Sequence, residues 1–158
     1  MYSTRLDIPD HVRKAAIGIL QARLSDALDL EAQMKQAHWN VRGPNFLQLH
    51  QLFDTIHDVV EGYVDLLAER IAALGGVADG RVQTTASTTS LYEYALATRG
   101  GEAHLRAIAA VLGQFGRTVR GDVDRTASLP DADTADVLTE VSRGVDQQLW
   151  FVEAHLED

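Results

Sequence analysis

The sequence predicts an all-α protein: a four-helix bundle with one long crossover that carries a short helix. Three observations lead there. Four long segments keep apolar residues at three-or-four spacing, the period of a helix with one buried face. Three prolines and two glycine pairs stand between those segments rather than within them. No stretch alternates with period two for long, so no strand is required.

The first predicted helix covers about residues 10–40. It opens after Pro9, which suits a first turn, and is striped by Ile17, Leu20, Leu24, Leu28 and Met34. The second covers about residues 46–74, with Leu49, Leu52, Phe53, Ile56, Val60, Tyr63, Leu67, Ile71 and Leu74 on its stripe. Only residues 42–45, including Pro44, separate the two, so they must form an antiparallel hairpin. Gly75-Gly76 and Gly100-Gly101 bracket about 25 residues, enough to carry the chain along the bundle. Within that crossover the Ser/Thr tract 84–90 reads as connection, and residues 91–96 read as the short helix. The third long helix covers about residues 102–124, on Leu105, Ile108, Leu112, Phe115, Val119 and Val123. The fourth covers about residues 134–155, on Leu138, Val141, Val145, Leu149, Val152 and Leu156, with Asp133 as candidate N-cap. Residues 1–158 read as one domain.

Composition narrows the chemistry. The chain has 158 residues, is 46% hydrophobic and contains no cysteine, which excludes disulfides, thiolate catalysis and iron–sulfur clusters. A metal would have to be held by His, Asp and Glu. The formal charge is −9, and twelve of the fourteen bases are arginine, the lysines being Lys14 and Lys35. Such a balance suits gathering cations better than binding nucleic acid. No long apolar run or basic-then-apolar start suggests a membrane span or secretory signal, so a cytoplasmic protein is expected.

The groups with chemistry to offer gather around the first hairpin. His50 and Asp54 are paired at i and i+4, as are Asp65 and Glu69, and all four fall within roughly a 100° arc of the second helix. Asp54 and Asp65 are separated by about 16 Å along the axis, so one chain holds only two half-sites. If two copies of this helix pack antiparallel about a two-fold axis near Val59 and Val60, His50 and Asp54 of one chain meet Asp65 and Glu69 of the other. Gly62, beside that axis, permits close approach. The short hairpin folds His38 back toward His50. A shell of imidazole and carboxylate suits iron(II), zinc or manganese. Taken singly, each of these residues is more often a solvated or hydrogen-bonded group than a ligand.

The stretch KQAHWNVRGPNFLQLHQLFD, followed by D-x3-ER-I-x2-LGG and, near the C-terminus, by D-x-DTADVLTEVSR and LWFVEAHLE, resembles the signature of the Dps family of miniferritins over nearly the whole chain. The resemblance implies a ferritin-like bundle assembled as a hollow dodecamer of two-fold dimers. Such cages oxidise iron(II), preferably with hydrogen peroxide, and store the ferric mineral. The family's ligand pattern falls on His38, His50 and Asp54 of one chain and on Asp65 and Glu69 of its mate. Iron is then the expected metal, with zinc a substitute.

Further implications follow from the same resemblance. Trp39 sits where a family tryptophan lies near the ferroxidase centre and takes up stray oxidising equivalents; packing is the alternative, and is the reading favoured for Trp150. Asp131, Asp136 and Glu140 match acids that line a three-fold pore, although acids at a helix start also complement its dipole. Glu31 reads as a hydrogen-bonding carboxylate, and Lys35 as either a partner for a site carboxylate or a solvated base. His57, Asp58, Glu61, His11, His104 and His155 are expected outside the site. Some Dps members compact DNA through a lysine-rich N-terminal tail, the alternative function here. About nine residues with one base, Arg5, precede the first helix, which does not favour it.

Overall fold

A computed structural model describes residues 1–157 and contains five helices: α1 Asp10–Asn40, α2 Phe46–Ala73, α3 Val82–Thr88, α4 Gly101–Ala127 and α5 Ala132–Glu153. Among the described residues no strand forms. The four long helices pack as two hairpins, α1 on α2 and α4 on α5, and α1 against α4 and α2 against α5 join the hairpins. Their stripes meet in one core, in which Leu20, Leu24, Met34, Phe53, Ile56, Leu67, Ile108, Leu112, Phe115 and Val141 are fully buried.

The turns follow from the residues that make them. Gly43, Gly75 and Gly100 all take positive φ, and Asn45 turns the chain into α2 from the left-handed region at φ 60°. Gly75, at φ 85°, is required twice over: the backbone oxygen of Tyr2 lies 2.6 Å from where a Cβ would stand. The Tyr2 amide donates to the Gly75 carbonyl at 2.6 Å, which ties the N-terminal segment to the end of α2. Arg13 donates from Nη1 to the Leu74 carbonyl at 2.9 Å, a buried cation on the negative end of α2. Gly144 serves close approach instead, since a Cβ there would overlap the Tyr63 phenol that joins α2 to α5.

The crossover contains a short helix, but its position differs from expectation. It forms at Val82–Thr88, inside the Ser/Thr tract, while residues 91–96 stay non-helical. Tertiary polar contacts account for the difference by occupying the backbone there. The Ser90 amide donates to Asp26 at 2.7 Å, the Tyr92 amide donates to Gln114 at 2.8 Å, and the Tyr92 and Ser90 carbonyls accept from Gln33 and Gln114. Those groups are no longer free to pair along a helix. Asp26 in turn meets Arg23 at 3.0 Å, and Arg23 reaches Asp122 of α4 at 3.1 Å, so a buried charge network fastens crossover and bundle together.

α5 starts two residues earlier than expected. Asp131, not Asp133, is its N-cap, accepting from the Thr134 amide at 3.2 Å. The same carboxylate receives the Arg70 guanidinium at 2.5 Å with a side chain only 1% exposed. Asp133 stays in solvent, where first-turn charge can still act on the dipole.

Candidate metal centre

The α1–α2 hairpin brings His38 and His50 face to face, their rings stacked with centroids 3.6 Å apart and planes 21° apart. Each ring's Nδ1 lies 2.8 Å from the other residue's backbone carbonyl, His38 to His50 and His50 to His38. A carbonyl only accepts, so both Nδ1 atoms carry the proton and both Nε2 atoms keep a lone pair. The fold thereby sets orientation and tautomer for two imidazole ligands, as outer contacts commonly do at metal sites.

Asp54 lies one helical turn beyond His50. Its Oδ1 is 3.7 Å from His38 Nδ1 and accepts from the Lys35 ammonium. The Lys35 hydrogen bond is the main influence holding the Asp54 carboxyl below the usual 3.8; partial burial opposes it, and the His38, Lys35 and His57 charges assist. Of the two readings of Lys35, partner to a site carboxylate is the one found.

Asp65 and Glu69 are exposed on the far half of α2. A single chain brings His38, His50 and Asp54 together and leaves Asp65 and Glu69 apart from them, as the 11-residue helical offset requires. Gly62, between the halves, is open: an added Cβ would meet nothing within 4 Å. Trp39 is 66% exposed, with Phe46 at 45% and Leu47 at 56%, a patch of large apolar side chains at the hairpin end of the protomer. Trp150, expected to pack, is 62% exposed because it lies on the outward face of α5, while Val145 and Val152 take the core positions.

Two departures concern acids and histidines. Asp131 does not join Asp136 and Glu140 as a surface carboxylate: its charge is consumed by Arg70 and the α5 cap, whereas Asp136 and Glu140 are exposed. His57 and Asp58, placed outside the site by sequence reasoning, lie beside it: one ligand atom from each of Asp54, His57 and Asp58 falls within 4.8 Å of the others. Glu31 of α1 reaches His57 Nε2 at 3.2 Å, the hydrogen-bonding role expected of it. The i, i+3, i+4 spacing of 54, 57 and 58 was the available signal. His104 is buried against Tyr94, and burial lowers its pKa; His11 and His155 are exposed elsewhere.

Comparison with known proteins agrees with this architecture. A ferritin-like domain model matches residues 17–158. The chain is 37% identical over 157 residues to a DNA protection during starvation protein of Agrobacterium fabrum, covering 99% of this chain and 97% of that one. The structure of Mycobacterium smegmatis Dps in a tetragonal form superposes with a TM-score of 0.93 at 31% identity, covering 99% and 95% of the two chains. Dps from Microbacterium arborescens in a high iron form gives a TM-score of 0.85 at 35% identity, covering 93% and 95%. With its paired hairpins, its short crossover helix and these relatives, the chain belongs to the Dps family of ferritin-like proteins.

Proposed function

We propose that this protein oxidises iron(II) with hydrogen peroxide at sites shared between two protomers, and stores the ferric product inside a hollow dodecamer. The observation that carries the reading is the reciprocal His38–His50 pair, which leaves two Nε2 lone pairs beside Asp54 while Asp65 and Glu69 stand exposed about 16 Å away on the same helix. Only an antiparallel mate brings the halves together. The exposed Trp39, Phe46 and Leu47 supply apolar surface for such an interface.

Iron(II) is the substrate. Two iron(II) ions give one electron each to one peroxide, whose O–O bond breaks; with two protons the products are two iron(III) ions and two waters, and no hydroxyl radical is released. The imidazoles position the ferrous ion, and the carboxylates of Asp54, Asp65 and Glu69 favour the harder ferric ion. Trp39, next to His38 in sequence, can intercept stray oxidising equivalents. Asp136 and Glu140, repeated around a three-fold axis, would concentrate iron(II) at an entrance. DNA compaction is the alternative, and a formal charge of −9 counts against it.

The test loads iron(II) anaerobically, adds peroxide, and follows ferric absorbance and peroxide consumption together. One peroxide consumed for each pair of iron(II) ions is expected. Ferric formation with no faster peroxide loss than in protein-free buffer would overturn the reading.

A further inference from the structure

Glu31, His57 and Asp58 meet on the α1–α2 surface beside the shared site, and none of them belongs to its ligand set. Both nitrogens of the His57 ring face a carboxylate: Nε2 lies 3.2 Å from Glu31 Oε1, and Nδ1 lies 3.0 Å from Asp58 Oδ1. A neutral imidazole has one N–H and one lone pair, and an ionised carboxylate only accepts. One of the two contacts therefore opposes a lone pair to an anion, and a cation between them converts that opposition into ligation. A ligand atom of Asp54 completes the group, within 4.8 Å of those of His57 and Asp58. A carboxylate carries two oxygens, so Asp54 can serve here and at the shared site together.

The surroundings suit a hydrated cation entering from solvent. The His57 and Glu31 side chains are recessed, at 14% and 25% exposed, while Asp58 is 72% exposed and open to the outside. One imidazole and three carboxylates, with no thiolate, favour a first-row divalent ion with a mixed nitrogen and oxygen shell.

We propose that Glu31, His57 and Asp58, joined by Asp54, bind one divalent cation per protomer in addition to those of the shared site. Only the identity of the natural cation, iron(II), rests on the function proposed above; the binding itself rests on the donor geometry. Cobalt(II) alone is the probe, used anaerobically on the metal-free assembled protein. Equilibrium dialysis measures its stoichiometry, and anomalous scattering at the cobalt edge locates it in crystals. The wild type is expected to bind one more equivalent per protomer than His57→Gln or Glu31→Gln, with an anomalous peak at ligating distance from His57. His50→Ala should lose cobalt near His38 and keep the peak at His57. Peaks among His38, His50 and Asp54 with none at His57 would overturn the proposal and leave the shared site standing. A peak at His57 alone would support the proposal and remove the shared site. Unchanged stoichiometry in His57→Gln would mean that the ring is an imidazolium held by two ion pairs, and would also overturn it. The wild-type anomalous map decides the matter even if a variant fails to assemble.

Discussion

Mixing two inactive variants gives the sharpest test of a site divided between chains. His50→Ala removes a ligand from one half, and Glu69→Ala removes one from the other. Neither should threaten the fold: Glu69 is exposed, a class of change worth within about ±0.5 kcal/mol, and His50 gives up a single hydrogen bond to the His38 carbonyl, about 1 kcal/mol. Each homogeneous assembly should lose most rapid peroxide-driven iron oxidation. When equal amounts are dissociated and reassembled at random, about half of the two-fold dimers carry one lesion on each chain. In each mixed dimer one site receives both lesions and the other receives neither. About a quarter of all sites therefore regain the full ligand set, and the initial rate of ferric absorbance should return to about a quarter of wild type. Native mass spectrometry establishes that mixed species are present. Verified mixed dimers with no more activity than either parent would falsify the shared-site reasoning, because a site built within one chain stays inactive in every mixture.

Other expectations concern the acids and the overall charge. Asp136→Asn with Glu140→Gln should slow iron(II) entry in stopped-flow loading while leaving the assembly intact by light scattering; unchanged entry kinetics would refute a pore role. Asp131→Ala should act on stability instead, since it leaves Arg70 without its buried partner and removes the α5 cap: about 3–5 kcal/mol, or roughly 10 °C in thermal midpoint, against little change for Asp133→Ala. The Lys35 contact lowers the Asp54 pKa, so its stabilisation is present above the unfolded value and lost as pH falls through the folded one. Lys35→Met should therefore raise the Asp54 carboxyl midpoint in a carbon-13 titration of the metal-free protein, and an unmoved midpoint would rule out the contact. Given the −9 charge, duplex DNA should show no retarded band at neutral pH and moderate salt; tight, salt-sensitive retardation would contradict this.

The sequence by itself determined the four long helices, because their apolar periodicity and the Pro and Gly breaks are local properties that packing reinforced. The stripe from Leu49 to Leu74 is buried along almost its whole length, and the expected breaks at Gly75 and Gly100 do take positive φ. It also determined that Asp65 and Glu69 cannot meet His50 within one chain, since the rise of a helix fixes that separation. Tertiary structure alone decided where the crossover coils. Asp26, Gln33 and Gln114 come from distant parts of the chain, and only folding brings them to the backbone of residues 90–92. The fates of the acids were decided the same way: Asp131 and Asp136 look alike in sequence, but Arg70 reaches across from α2 to bury only the first. His57 shows the same limit at the candidate site. Its spacing from Asp54 was legible, but Glu31, on the opposing helix, gives the ring its second carboxylate, and that contact depends on how α1 and α2 are rotated against each other.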